Sequence, residues 1–342
     1  MQMKKKTKKI LVGSAVATAG VAAVAAVYHA VTKNLVKVAL DREQPKNVSP
    51  KAKKKVRGSE KLEELASMME DASEKLRACE LQDVQITADD GITLVGHLYT
   101  CQDAKRTIVA MHGWRTSWSK DFGLISPFWH ENRCNVLYCE QRGQGESGGD
   151  YMGFGMLERY DCLAWINWLN ENGFDHLPIY LGGVSMGAST VLMTTGFDLP
   201  ANVRGVVADC GFTSAKDIWK HVVKNNMHLS YNKLRATLAD DICKRKIQIS
   251  SSDYSTIDAM KVCKVPILFL HGTEDKFVPV SMTYENYVAC ASEKWLVVFP
   301  GADHGMSYFS DKNLYETVVK NFWKDFDDMS KVKEVSEPEG NL

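Results

Sequence analysis

Pro178-Ile179-Tyr180-Leu181-Gly182-Gly183-Val184-Ser185-Met186-Gly187-Ala188 changes character within eleven residues. Residues 178–183 are short and apolar and read as a buried strand. Ala188 to Thr195 suits a helix. Between them, Gly183-Val184-Ser185-Met186-Gly187 must turn strand into helix around one serine. That turn is too tight for side chains on either side of the serine, hence the glycines. The serine is held in a strained conformation with its hydroxyl exposed at the carboxyl edge of a sheet. The Met186 amide then sits at a helix amino terminus, where N–H groups favour developing negative charge. Ser185 is the expected nucleophile, and Met186 one expected oxyanion donor.

Outward from this turn, strands are expected at 106–111, 135–139, 204–209, 265–270 and 294–299. Helices are expected at 118–131, 154–172, 186–196, 280–291 and 313–328. Short apolar strands separated by helices indicate a mostly parallel sheet covered on both faces. Ahead of them, Val84 to Thr87 and Ile92 to Tyr99 alternate around Asp89-Asp90-Gly91, a hairpin signal. The reading is one α/β domain over 81–330 with an eight-stranded sheet. A helical, partly polar segment at 213–262 interrupts the alternation where a lid would sit. An amphipathic helix over 61–80 precedes the domain, and a polar tail, 331–342, follows it.

A nucleophilic serine needs a base, and the base needs an orienting acid. The strand 265–270 runs into His271-Gly272-Thr273-Glu274-Asp275, and the strand 294–299 into Pro300-Gly301-Ala302-Asp303-His304-Gly305. Loops at the carboxyl ends of parallel strands are where such sheets place their sites. Asp275 as acid and His304 as base give the order Ser, Asp, His. Asp209, also at a strand end, is the rival acid, and His271 reads as a structural residue. After the strand 106–111 comes His112-Gly113-Trp114, where the Trp114 N–H is the second candidate oxyanion donor and His112 a brace. Trp118, Phe122, Trp219, Met227, Phe277 and Met306 are candidates for an apolar acyl pocket.

These blocks, together with Glu140-Gln141-Arg142-Gly143-Gln144-Gly145-Glu146-Ser147, resemble the α/β-hydrolases over residues 82–328. The last block is similar to that family's Asp-x-Arg-Gly-x-Gly-x-Ser loop, with Glu140 in place of Asp. Within the superfamily the chain looks most like serine-aminopeptidase-like and prolyl-oligopeptidase-like bacterial hydrolases, many with an amino-terminal membrane segment. The resemblance implies acyl transfer from a small-molecule substrate to serine, hydrolysis by water and no cofactor. Ester cleavage is the leading expectation. A peptidase on small peptides is the nearest rival, with Glu140, Glu146 and Glu274 as possible anchors for an amine. A binding protein on a hydrolase fold is the alternative of another class. No metal is expected: the nine histidines show no His-x-x-x-His or Glu-x-x-His pair, and the nine cysteines no Cys-x-x-Cys.

The 342 residues are 45% apolar and 25% charged, which suits a globular chain. The net charge of zero hides a split: residues 1–60 carry 14 Lys and Arg against 3 Asp and Glu. The remainder carries 28 against 39, an acidic body that disfavours nucleic-acid binding. Residues 1–9 form a basic n-region, with Lys4, Lys5, Lys6, Lys8 and Lys9. The uncharged run 10–31 is long enough to cross ~30 Å of hydrocarbon, and its length favours a retained anchor over a cleaved signal peptide. The preceding lysines favour the cytoplasm, which places the body outside it. Residues 32–60 read as a basic linker.

Overall fold

The computed structural model describes residues 22–44 and 60–331. The chain begins with α1 (residues 22–40) and α2 (Glu60–Arg77), then the hairpin β1 (Gln82–Thr87) and β2 (Thr93–Tyr99). There follow β3 (Arg106–Met111), α3 (Trp118–Phe122), α4 (Ser126–Glu131), β4 (Cys134–Cys139), α5 (Glu158–Leu169), β5 (Ile179–Val184) and α6 (Met186–Thr194). Next are β6 (Val203–Asp209), α7 (Ala215–His221), α8 (Lys233–Ile247), α9 (Thr256–Val262) and β7 (Ile267–Gly272). The order closes with α10 (Val280–Ala289), β8 (Lys294–Phe299), α11 (Ser307–Ser310) and α12 (Lys312–Phe326).

The eight strands form one sheet in the order β1-β2-β4-β3-β5-β6-β7-β8. β1 and β2 are antiparallel to their neighbours, and every other pair is parallel. The strands β3 and β4 are buried at every residue, as strands covered on both faces must be. Val109, Met111 and Leu181 face one layer, with Trp165 and Leu192 from α5 and α6. Ile108, Ala110 and Tyr180 face the other, with Phe122 of α3, Trp129 of α4 and Phe322 of α12. β3 lies between β4 and β5, so strand order reverses there, and Met111 pairs with Gly183. This switch point brings the loop after β3 beside the turn after β5, the position where open parallel sheets bind ligands.

Three expected elements differ. The helix expected at 118–131 is two, α3 and α4, because Pro127 in the first turn of α4 has no N–H to continue a preceding helix. Of the segment 213–262, α7 and α8 stand over the site. α9 instead joins the layer on the sheet, with Ala259 and Met260 buried against α6 and β7 residues. Residues 32–44, expected within a basic linker, are also ordered against the body: 32–40 continue α1, and Thr32, Val36 and Leu40 are buried. The docked face recurs every four residues, while Lys33 and Lys37 remain exposed. Residues 10–21 of the expected anchor, with 1–9, 45–59 and 332–342, lie outside the described residues. Among the described residues no helix is long and apolar enough to cross a membrane.

Candidate active site

Ser185 sits between β5 and α6 at φ 56° and ψ −117°, a backbone conformation uncommon for a residue with a side chain. Its neighbours leave no alternative: a Cβ at Gly183 would overlap the Gly187 backbone, and one at Gly187 the Met111 carbonyl. The Ser185 N–H donates to the Asp209 carbonyl at 2.9 Å, which ties the turn to β6.

The serine hydroxyl lies 2.9 Å from His304 Nε2, and His304 Nδ1 lies 2.6 Å from Asp275 Oδ2. A carboxylate only accepts, so Nδ1 carries the proton and Nε2 is left to accept from Ser185. The Asp275 side chain is fully buried. Burial alone would raise its pKa, but hydrogen bonds from His271 and His304, the electrostatic pull of the His304 ring and the Val278 N–H hold it at about 2. Its other oxygen, Oδ1, accepts the N–H groups of Phe277 and Val278 at 2.9 and 2.8 Å.

His271 is part of this chain. Its Nε2 lies 3.1 Å from Asp275 Oδ2 and 2.9 Å from the Val278 carbonyl, both acceptors, and its Nδ1 lies 2.6 Å from Thr283 Oγ1. Its contact with the acid is visible in the fold and not in the sequence, where β7 merely ends with it. The rival acid is elsewhere: Asp209 accepts from Ser307 Oγ at 2.7 Å, and burial pushes its carboxyl up.

In the loop after β3, the Gly113 N–H donates to Asp121 Oδ2 and the Arg115 N–H to Gln144 Oε1, each at 2.6 Å. Among the described residues none accepts from the main-chain N–H of Trp114 between them. Asp121 also accepts from Thr116 Oγ1 at 2.8 Å. Burial drives its pKa up, against the pull of His112 and the Gly113 N–H. Asp121 therefore shapes the loop after β3, a role that no motif announced. His112 braces the same loop, with Nδ1 2.8 Å from the Gly113 carbonyl and Nε2 accepting the Gln141 N–H at 3.2 Å. Burial lowers its pKa and favours the neutral ring.

Two cavities meet at Ser185, and both are also lined by Trp114 and Phe277, whose rings stack 6.5 Å apart. The larger, about 370 Å³, extends along Phe122, Trp129 and Met306. The smaller, about 270 Å³, runs between α1 and the α7–α8 segment and includes Trp219 and Met227. Trp118, expected in the pocket, lines neither. Its ring stacks on His97 at 4.4 Å and packs against Tyr138, so of the two aromatic residues on this helix side only Phe122 reaches the cavity. Glu140, Glu146 and Glu274 line neither cavity. Glu140 is buried, with His97 Nε2 3.4 Å from one oxygen and the Glu146 N–H on the other. Among the described residues one grouping offers three metal-ligand types, Cys210, Asp275 and His304. Two of its members already bond each other, and burial pushes the Cys210 thiol pKa far up, which disfavours the thiolate a metal requires.

Residues 121–328 match the model of the prolyl oligopeptidase family. The chain belongs to that family. YqkD of Bacillus subtilis, an uncharacterised protein, is 25% identical over 70% of this chain and 77% of its own length. The bifunctional esterase/perhydrolase DCH of Acinetobacter calcoaceticus is 22% identical over 65% of this chain and 92% of its own. The structure of the Pyrococcus furiosus esterase Pf2001 superposes with a TM-score of 0.60 at 22% identity, over 74% of this chain and 94% of that one. The chain is thus an α/β-hydrolase enzyme of the prolyl-oligopeptidase type.

Proposed function

We propose that the protein cleaves a carboxylic ester or related acyl bond through a covalent acyl-enzyme on Ser185. The observation that carries this reading is the Ser185–His304–Asp275 hydrogen-bonded chain on a strained strand-to-helix turn. His304 Nε2 takes the hydroxyl proton as Ser185 Oγ attacks the carbonyl carbon. The carbonyl electron pair moves onto oxygen, which the Trp114 and Met186 N–H groups receive. When the ester C–O bond breaks, His304 returns that proton to the departing alkoxide. A water, deprotonated by His304, then attacks the acyl carbon. The Oγ–carbon bond breaks, Ser185 regains its proton and the acid leaves. Asp275 stays ionised and holds the imidazole in the required tautomer.

The family match favours a second reading, a serine peptidase. A peptide's free amine needs an unengaged carboxylate, and the acids that line the cavities, Asp121 and Asp209, are both engaged in hydrogen bonds. That supports the ester. With p-nitrophenyl esters and aminoacyl p-nitroanilides as substrates, kcat/KM for the best ester should exceed that for the best anilide by at least ~100-fold. The opposite order would establish the peptidase. Folded protein inert towards both would leave the non-catalytic binding protein. For location, the lysines before the uncharged residues 10–21 support attachment of the amino terminus to a membrane, with the body outside the cytoplasm.

A further inference from the structure

The smaller cavity is walled on one side by α7 and α8 and on the other by α1. α1 is held firmly there. Tyr28 Oη donates to Asn232 Oδ1 at 2.7 Å, and the Arg235 guanidinium lies 4.5 Å from the Tyr28 ring centre. Trp114 Nε1 donates to the Ala39 carbonyl at 2.8 Å. Beside the docked face runs a second stripe: Val24, Val27, Val31, Leu35 and Val38 recur every three or four residues and so share one side of the helix. Its first three members are exposed, and its last two line the cavity. Across from it, Met227 is both exposed and cavity-lining, and Leu229 and Leu234, which flank Asn232 in sequence, are exposed. An apolar track therefore leads along α1, past a rim of the α7–α8 segment, to a cavity that ends at Ser185. Arg235, the charged residue lining this cavity, is turned to the Tyr28 ring and to Thr32 Oγ1, 3.4 Å from its Nε.

We infer that the α1-walled cavity binds the hydrocarbon chain of a fatty-acyl ester, delivered from a lipid bilayer along α1. This rests on the ester-hydrolase reading above. The cavity, about 270 Å³ and lined mostly by apolar side chains, buries the methylenes of a chain that enters it. The bilayer is the occupant of the exposed stripe because the sequence immediately before it, residues 10–21, is uncharged and follows five lysines. α1 is then a wall of the substrate site as well as the continuation of an anchor.

The test uses the full chain and p-nitrophenyl esters of two to fourteen carbons. kcat/KM should rise about threefold to fourfold per methylene until the chain fills the cavity, then fall. Leu35→Trp and, at the exposed rim, Met227→Trp should each lower the octanoyl-to-acetyl ratio of kcat/KM at least ~tenfold. A flat chain-length profile, or an unchanged ratio in both variants, overturns the acyl cavity while ester hydrolysis stands. No hydrolysis of any ester overturns both readings. For delivery, the octanoyl ester is presented dissolved and in phosphatidylcholine–phosphatidylglycerol vesicles. The exposed triple variant Val24→Ser/Val27→Ser/Val31→Ser should lower the vesicle-to-dissolved rate ratio about tenfold. An unchanged ratio overturns the bilayer route.

Discussion

Asp275 combines full burial with ionisation, and the two are compatible only because four hydrogen-bond donors converge on it. Its carboxyl titrates at about 2 in place of the ordinary 3.8. The folded chain thus binds that proton less readily than the unfolded chain, which favours folding by about 2 kcal/mol at neutral pH. The contribution is complete above the unfolded value and disappears as pH falls from about 4 through about 2. Urea unfolding of Asp275→Asn should lack that acid-side loss, whereas wild type should show it. A parallel pH dependence of the two proteins would contradict the assignment. The same substitution should lower kcat by about 10³–10⁴, because an amide no longer enforces the His304 tautomer. Asp209→Asn, whose carboxylate meets Ser307, should not approach that loss.

Among the elements, α1 is fastened at its carboxyl end by side chains that come from elsewhere in the chain, Arg115 among them. Its last carbonyls lack partners within the helix. Groups from the body supply them: Arg115 Nη2 donates to the Val38 carbonyl at 2.8 Å, Trp114 Nε1 to that of Ala39 and the Met152 N–H to that of Leu40, while Arg115 also donates to the Asp41 and Arg42 carbonyls just beyond the helix, at 2.5 and 3.2 Å. Charged donors at a helix carboxyl end also complement its dipole. Arg115→Ala should cost about 1–3 kcal/mol locally. Amide exchange over residues 36–42 should speed up while the β3 and β5 amides keep their protection. Uniform acceleration across the sheet would mean that α1 is integral to global folding and not a separately docked element. The elbow behaves differently: Gly183, Ser185 and Gly187 answer to contacts between β3, β5 and α6, so no single hydrogen bond governs it.

At the scale of the molecule, what the sequence disclosed follows from how each feature is encoded. Strands buried on both faces are mostly apolar, so β3, β4 and β5 are legible within a residue. The elbow is legible because its sterics are local, and the strand ends before Asp275 and His304 mark the site's edge. Partnerships made through space leave no such trace. Asp121 and Gly113 are eight residues apart, and His271 meets Asp275 only because the loop folds back over Val278. Trp118 reads as pocket and proves to be core, since aromatic residues at helical spacing do not say which side they cover. In the sequence α1 divides between anchor and linker because its lysines mask the spacing of Thr32, Val36 and Leu40. The central claim is that these distant parts converge to activate one serine. Its most direct test is treatment of the folded full chain with a fluorophosphonate, followed by peptide mapping. One adduct per chain on Ser185, lost in His304→Ala, is the predicted result. No adduct on folded protein, or equal labelling in His304→Ala, would contradict it.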